Sequence, residues 1–136
     1  MKKRRFRVWL LLTCAWLIVI FGHSSMPAAT SNAESLGFLA VLQRTFPWLT
    51  NHLLRKIGHF TEFAILGVFL TGTFRNAKNF TLYKPLGLCL FTAVCDETLQ
   101  LFIAGRSGNV RDVWIDFAGA VCGTLLTWLI CKLRKR

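Results

Sequence analysis

The chain alternates four long apolar runs, at about 8–23, 56–74, 84–104 and 112–131, with short polar stretches whose charge changes character from one to the next. As helices rising about 1.5 Å per residue, runs of this length approach a hydrocarbon thickness of about 30 Å. Hydrophobic residues fill 54% of only 136 positions, and a soluble domain of that size has too little surface material to cover several all-apolar helices. The pattern predicts an all-α fold: a four-helix transmembrane bundle forming one membrane domain over 1–136.

The charges orient it. Of seventeen Lys and Arg, twelve lie in three stretches without an acid: Lys2, Lys3, Arg4, Arg5 and Arg7; Arg75, Lys78 and Lys84; Lys132, Arg134, Lys135 and Arg136. Positive residues beside membrane spans stay on the cytoplasmic side, so both termini and the 75–83 connection are placed inside, and 24–55 and 105–111 outside. The expected location is a cell membrane, crossed several times. The net charge of +11 then complements an anionic leaflet, and nucleic acid is not expected as a partner. A basic start followed by an apolar core also describes a secretory signal, but Pro27 fits poorly with cleavage near Ala28 or Ala29, so the first helix is read as retained.

Cys14, Cys89, Cys95, Cys122 and Cys131 all fall inside apolar runs. An odd count without paired loop positions argues against disulfides, leaving small apolar residues at helix contacts. The first external connection has helical spacing of its own: Ser31 and Glu34 match a capping box, Leu36, Leu39, Leu42 and Phe46 follow at helical intervals, and Pro47 ends the pattern. A short interfacial helix over 32–46 is expected, with Trp48 as an anchor. In the last run Gly119 and Gly123 form GxxxG, which lets helices approach closely either within the chain, the simpler case, or in a homo-oligomer.

Under this orientation the polar residues of the spans gather at one depth. His59 and Glu62 open the second span, Asp96, Glu97 and Gln100 end the third, and Asp112 and Asp116 open the fourth. A carboxylate facing lipid costs on the order of 2–3 kcal/mol on insertion scales, so these groups should turn inward and line one cavity open to the outside. Arg55, His59 and Glu62 share a helix face, as do Asp112 and Asp116, and Asp112 is placed to cap its helix. Arg55, Lys56, Arg106 and Arg111 are the cations within reach. Gly105 and Gly108 suggest a tight turn holding Arg106 at the cavity mouth, either as counter-ion to the acids or as a fork for phosphate. His23 and His52 read as interfacial side chains.

Ser24-Ser25-x-Pro27, Arg55-Lys56-x-x-His59-Phe60-x-Glu62-Phe63, Asp96-Glu97-x-x-Gln100-x-Phe102, Arg106 and Asp112-x-x-x-Asp116-x-x-Gly119 together resemble the VanZ-like family of small bacterial membrane proteins, over nearly the whole chain. At Asp116 that family more often carries Asn. The resemblance implies an envelope-related role and, through the family's name, a link to resistance to the glycopeptide teicoplanin.

The leading reading is a pocket of Arg55, Lys56, His59, Glu62, Asp96, Glu97, Gln100, Arg106, Asp112 and Asp116 that binds an anionic lipid-linked headgroup, such as an envelope precursor, or limits access of a glycopeptide. Membrane lipids are the expected partners. The alternative is an intramembrane hydrolase or transferase, with His59 as base, Glu62 orienting it, Asp96 or Glu97 as acid and Arg106 stabilising charge. A zinc site on His59, Glu62 and Asp96 or Glu97 has little support from one intramembrane His without HExxH, so neither metal nor cofactor is expected. A proton-coupled carrier lacks a polar relay through the inner halves of the spans. A purely structural ion-pair network is the remaining reading.

Overall fold

The computed structural model describes residues 2–77 and 80–134. Lys78, Lys135 and Arg136, counted above among the cytoplasmic charges, lie outside the described residues. Five helices make up the regular structure of the described residues: α1 (Lys2–Ser24), α2 (Ala28–Leu42), α3 (Asn51–Asn76), α4 (Tyr83–Gln100) and α5 (Val110–Leu133). Among them no strand occurs.

Helices α1, α3 and α5 are each long and apolar enough to cross a membrane. Helix α4 has 18 residues, about 27 Å at the usual rise, and includes Lys84, Asp96 and Glu97. Large apolar side chains face outwards on all four, among them Leu11, Ile18, Leu90, Phe91, Leu126 and Leu129. Exposing such a surface to water is costly, whereas lipid covers it without that cost.

Local chemistry sets the helix ends. The Thr50 hydroxyl accepts from the Leu53 N–H at 3.2 Å and starts α3 at Asn51, five residues earlier than the apolar run begins. His59 and Glu62 therefore lie about two and three turns into the helix, not at its mouth. The Asn109 carbonyl oxygen of the side chain accepts from the Arg111 N–H at 3.0 Å and starts α5, which displaces Asp112 from the capping role expected of it. Helix α4 ends at Gln100, four residues short of expectation. There the bonds tighten to i→i−3, from Leu101 to Thr98, Phe102 to Leu99 and Ile103 to Gln100, and Gly105 turns the chain at φ 73°, a left-handed conformation that disfavours other residues.

The helix expected over 32–46 also shifts. Helix α2 begins at Ala28 behind Pro27, whose fixed φ suits a helix start, and no side chain caps it. Ser31 and Glu34 therefore lie inside the helix and form no capping box. Past Leu42 the backbone closes in turns through Phe46, so Pro47 follows an end already made.

Helix α3 is the centre of the bundle, packed on α5 most extensively and on α1 next, while α4 packs on α5 and α3. Among lipid tails the hydrophobic effect gives helices no reason to associate, so close packing must hold them. Small residues provide it. A Cβ on Gly119 would collide with the Phe60 carbonyl oxygen, on Gly123 with that of Ala64, and on Gly67 with that of Ala120. The GxxxG face thus meets α3 of the same chain, the simpler of the two contacts expected from sequence. Ile20, Phe63, Leu66, Leu70, Cys89, Ala93 and Ala120 fill the core. Cys89 sits there as a small apolar residue, whereas Cys14 and Cys122 are exposed on the outer surface.

Polar ties lock α1 to α3. The Thr13 and Thr73 hydroxyls are 3.1 Å apart, and the Trp16 indole N–H donates to the Glu62 carbonyl at 2.8 Å. Trp9 lies over Gly72, where any side chain would strike its ring. These ties align the α1 C-terminus with the polar stretch of α3.

Candidate functional site

One end of the bundle collects the C-terminal ends of α1 and α4, the N-terminal halves of α3 and α5, helix α2 and the 101–109 turn. Two cavities open there, of about 560 and 350 Å³, and Arg55, His59 and Arg106 line both. The larger runs between α2 and α3, with Met26, Phe38 and Leu54 as apolar wall and His23 and Glu62 as polar wall. The smaller is lined by His52, Lys56, Gln100 and Asp112 beneath the turn.

Arg106 acts on backbone rather than on acids. Its Nε donates to the Met26 carbonyl and its terminal nitrogen to the His23 carbonyl, each at 2.8 Å. The turn is thereby pinned to the α1–α2 junction, where the Ala28 N–H also donates to the Ala104 carbonyl at 3.1 Å. Burial and the neighbouring Arg55 cation lower Arg106 from its ordinary value, and Asp96, Glu97 and Glu62 oppose them. Of the two roles open to it from sequence, counter-ion to the acids or fork for phosphate, neither is made through these bonds, which go to backbone carbonyls.

Glu62 accepts from His23 at 2.6 Å, not from His59 as its expected partner. Its place beside His59 is taken by Asp116, whose Oδ1 lies 3.3 Å from His59 Nδ1 without the alignment of a hydrogen bond. Lys56 pairs with Asp112, and Arg55 donates to the Asn32 side chain on α2 at 3.0 Å. His23, read from sequence as a plain interfacial residue, is thus part of the site. So are Ser24 and Asn109. Interfacial position was the signal available for His23; the motif containing Ser24 was the signal for that residue.

Asp96, Glu97 and Asp116 do not line either cavity. They are buried, with 1%, 5% and 0% exposure, in a layer behind His59. Gln100 Nε2 donates to Asp96 Oδ2 at 3.1 Å and to Glu97 Oε1 and the Ser24 hydroxyl at 3.4 Å, while the Asn109 N–H donates to Glu97 Oε2 at 2.8 Å. The single polar chamber expected from sequence is therefore two open cavities backed by a sealed carboxylate layer, with His59 between them.

In this layer His59, Asp96, Glu97 and Asp116 each present one potential ligand atom, all within 4.8 Å of one another. Glu62, the other ligand imagined from sequence, is turned away to His23. Asp116 takes its place because α5 crosses α3 so closely.

Apolar spans, inward acids and this motif geometry agree with the comparison to known proteins. The family model described as VanZ/LLP1 matches residues 9–131. No curated protein and no solved structure matches. With nearly its whole length spanned by that model, the chain belongs to the VanZ/LLP1 family.

Proposed function

We propose that this VanZ-like membrane protein crosses the bacterial cytoplasmic membrane four times with both termini inside, that α2 rests at the outer interface, and that the 560 Å³ cavity binds an anionic lipid-linked headgroup. The twelve acid-free basic residues support the orientation. The outward apolar side chains Leu88, Leu90, Phe91 and Val94 support α4 as the fourth span. On α2, exposed Leu36, Phe38 and Val41, with Phe46 and Trp48 beyond it, suit the boundary between headgroups and tails.

The observation that carries the pocket reading is its amphiphilic wall. Arg55, Arg106 and His59 lie beside Met26, Phe38 and Leu54, so one ligand can place a phosphate on the cations and an acyl or prenyl chain on the apolar side. Its volume falls in the usual range of roughly 300–1,000 Å³ for small-ligand sites. The test is native mass spectrometry of the detergent-purified protein with a short-chain polyprenyl phosphate and the matching uncharged polyprenol. Preferential retention of the phosphate, lost in Arg55→Gln, supports the reading; equal retention of both overturns it. A role in teicoplanin resistance follows if such a headgroup is part of the drug's target, and is measured as a change in the inhibitory concentration on expression.

A second reading, an intramembrane hydrolase or transferase, is favoured by the His59–Asp116 contact of 3.3 Å behind the cavity wall. That arrangement lets an acid orient a histidine whose ring reaches a bound headgroup. Turnover of the polyprenyl phosphate by the wild type, absent in His59→Ala, would identify it.

A further inference from the structure

We propose that His59, Asp96, Glu97 and Asp116 form a binding site for one divalent first-row metal ion. The ligand atoms come from α3, α4 and α5 and lie within 4.8 Å of one another. Ligands about 2.0–2.2 Å from one ion stand at most about 4.4 Å apart, so small rotamer changes bring the set into one coordination sphere. One imidazole with three carboxylates suits Mn²⁺, Fe²⁺ or Zn²⁺ better than the all-oxygen preference of Mg²⁺ and Ca²⁺ or the soft preference of Cu⁺.

Three of these four side chains carry unpartnered atoms. His59 Nδ1, Asp96 Oδ1 and both carboxylate oxygens of Asp116 are buried without a hydrogen-bond partner, and Asp116 is fully buried. A buried polar atom left unpaired costs about 1–3 kcal/mol, and more when charged, so four on three side chains of one cluster call for a common partner. Apart from His59 itself, 3.3 Å from Asp116, the neighbouring cations do not supply it: Lys56 is engaged by Asp112, Arg55 by Asn32, Arg106 by the carbonyls of His23 and Met26, and His23 by Glu62.

The oxygens that do have partners are held as an outer layer around a metal site would hold them. Gln100 donates to Asp96 Oδ2 and Glu97 Oε1, and the Asn109 N–H donates to Glu97 Oε2. Such donors fix carboxylates in place and leave lone pairs for the ion. His59 lines both cavities, which leaves one side chain between the site and the opening. An ion here would add a Lewis acid behind the headgroup pocket, but the proposal does not depend on that pocket.

The test uses the full chain purified in detergent, stripped with EDTA, reloaded separately with Mn²⁺, Zn²⁺ and Co²⁺, desalted and analysed for metal. Uptake of about one equivalent of at least one ion by the wild type and by Glu34→Gln is expected, with affinity falling at least about tenfold in Asp116→Asn and Asp96→Asn. Monodisperse wild type that retains none of the three ions, or variants that retain as much as wild type, overturns the proposal. Should the variants not survive purification, Co²⁺ absorption by the wild type decides: a visible spectrum distinct from the aqueous ion supports the site, and an aqueous spectrum refutes it. Since no lipid ligand is present, failure here is separate from failure of the headgroup reading.

Discussion

His59 Nδ1 stands 3.3 Å from Asp116 Oδ1, joining α3 to α5 at the boundary between an open cavity and a sealed carboxylate layer. His59 is partly accessible on one side, while Asp116 has no exposed surface. The pair is therefore the place where anything binding in the cavity is felt by the buried acids. Removing one member of a buried pair typically costs about 3–5 kcal/mol. His59→Ala and Asp116→Leu should each lower the midpoint of SDS-induced unfolding, and the double variant should lose less than the sum, with coupling of about 0.5–3 kcal/mol. Additive losses would mean that the two side chains do not act together.

The α3–α5 crossing makes a sharp prediction about glycine. Gly123→Ala drives a methyl group into the Ala64 carbonyl, and Gly119→Ala drives one into that of Phe60. Overpacking of this kind costs about 1–3 kcal/mol. Gly87 on α4 has nothing within 4 Å of its would-be Cβ, so Gly87→Ala should be neutral or stabilising by up to about 1 kcal/mol through helix propensity. The same SDS titration compares all three; equal behaviour would contradict the close approach.

Arg106 holds the 101–109 turn by two bonds to backbone carbonyls. Because both come from one planar guanidinium, Arg106→Lys should keep the charge and lose the clamp. Hydrogen exchange should rise severalfold at residues 24–28 and 103–109 in Arg106→Lys as well as in Arg106→Gln. Protection unchanged in the Lys variant would show that charge alone suffices.

Orientation is tested by thiol chemistry. In a background lacking the five native cysteines, Ser107→Cys should react with a membrane-impermeant maleimide on intact cells. Thr81→Cys, in the connection between α3 and α4, should react only after lysis. The reverse pattern would invert the assigned topology.

The Lys56–Asp112 pair bridges α3 and α5 at the smaller cavity, with side chains 22% and 17% exposed. Partial exposure places its coupling near the upper end of the roughly 0.2–1 kcal/mol found for accessible pairs. Charge reversal at either residue should destabilise, and the swap Lys56→Asp with Asp112→Lys should recover part of the loss. No recovery in the double variant would show that the contact contributes nothing.

Period and polarity along the chain determined much of this protein. Apolar runs predict the helices because a membrane requires backbone hydrogen bonds to close within each segment, and inward-turning acids follow from the cost of facing them to lipid. The candidate residues, from Arg55 through Asp116, were therefore legible as a group at one end of the bundle. Helix ends were less so. Thr50 and Asn109 cap α3 and α5 outside the apolar runs, and hydropathy does not register a hydroxyl or amide accepting one N–H.

Only the tertiary structure decided which acid meets which base. Sequence spacing puts Glu62 near His59, three residues along the same helix, yet Glu62 turns to His23 on α1 and Asp116 arrives from α5. That exchange depends on Gly119 and Gly123 letting α5 come against the backbone of α3, a matter of ångström-scale packing between segments nearly sixty residues apart. The same closeness buries Asp116, while Arg55, His59 and Arg106 line the openings. Charge and hydropathy specify that polar groups must gather, whereas the separation of helix axes determines which of them remain accessible.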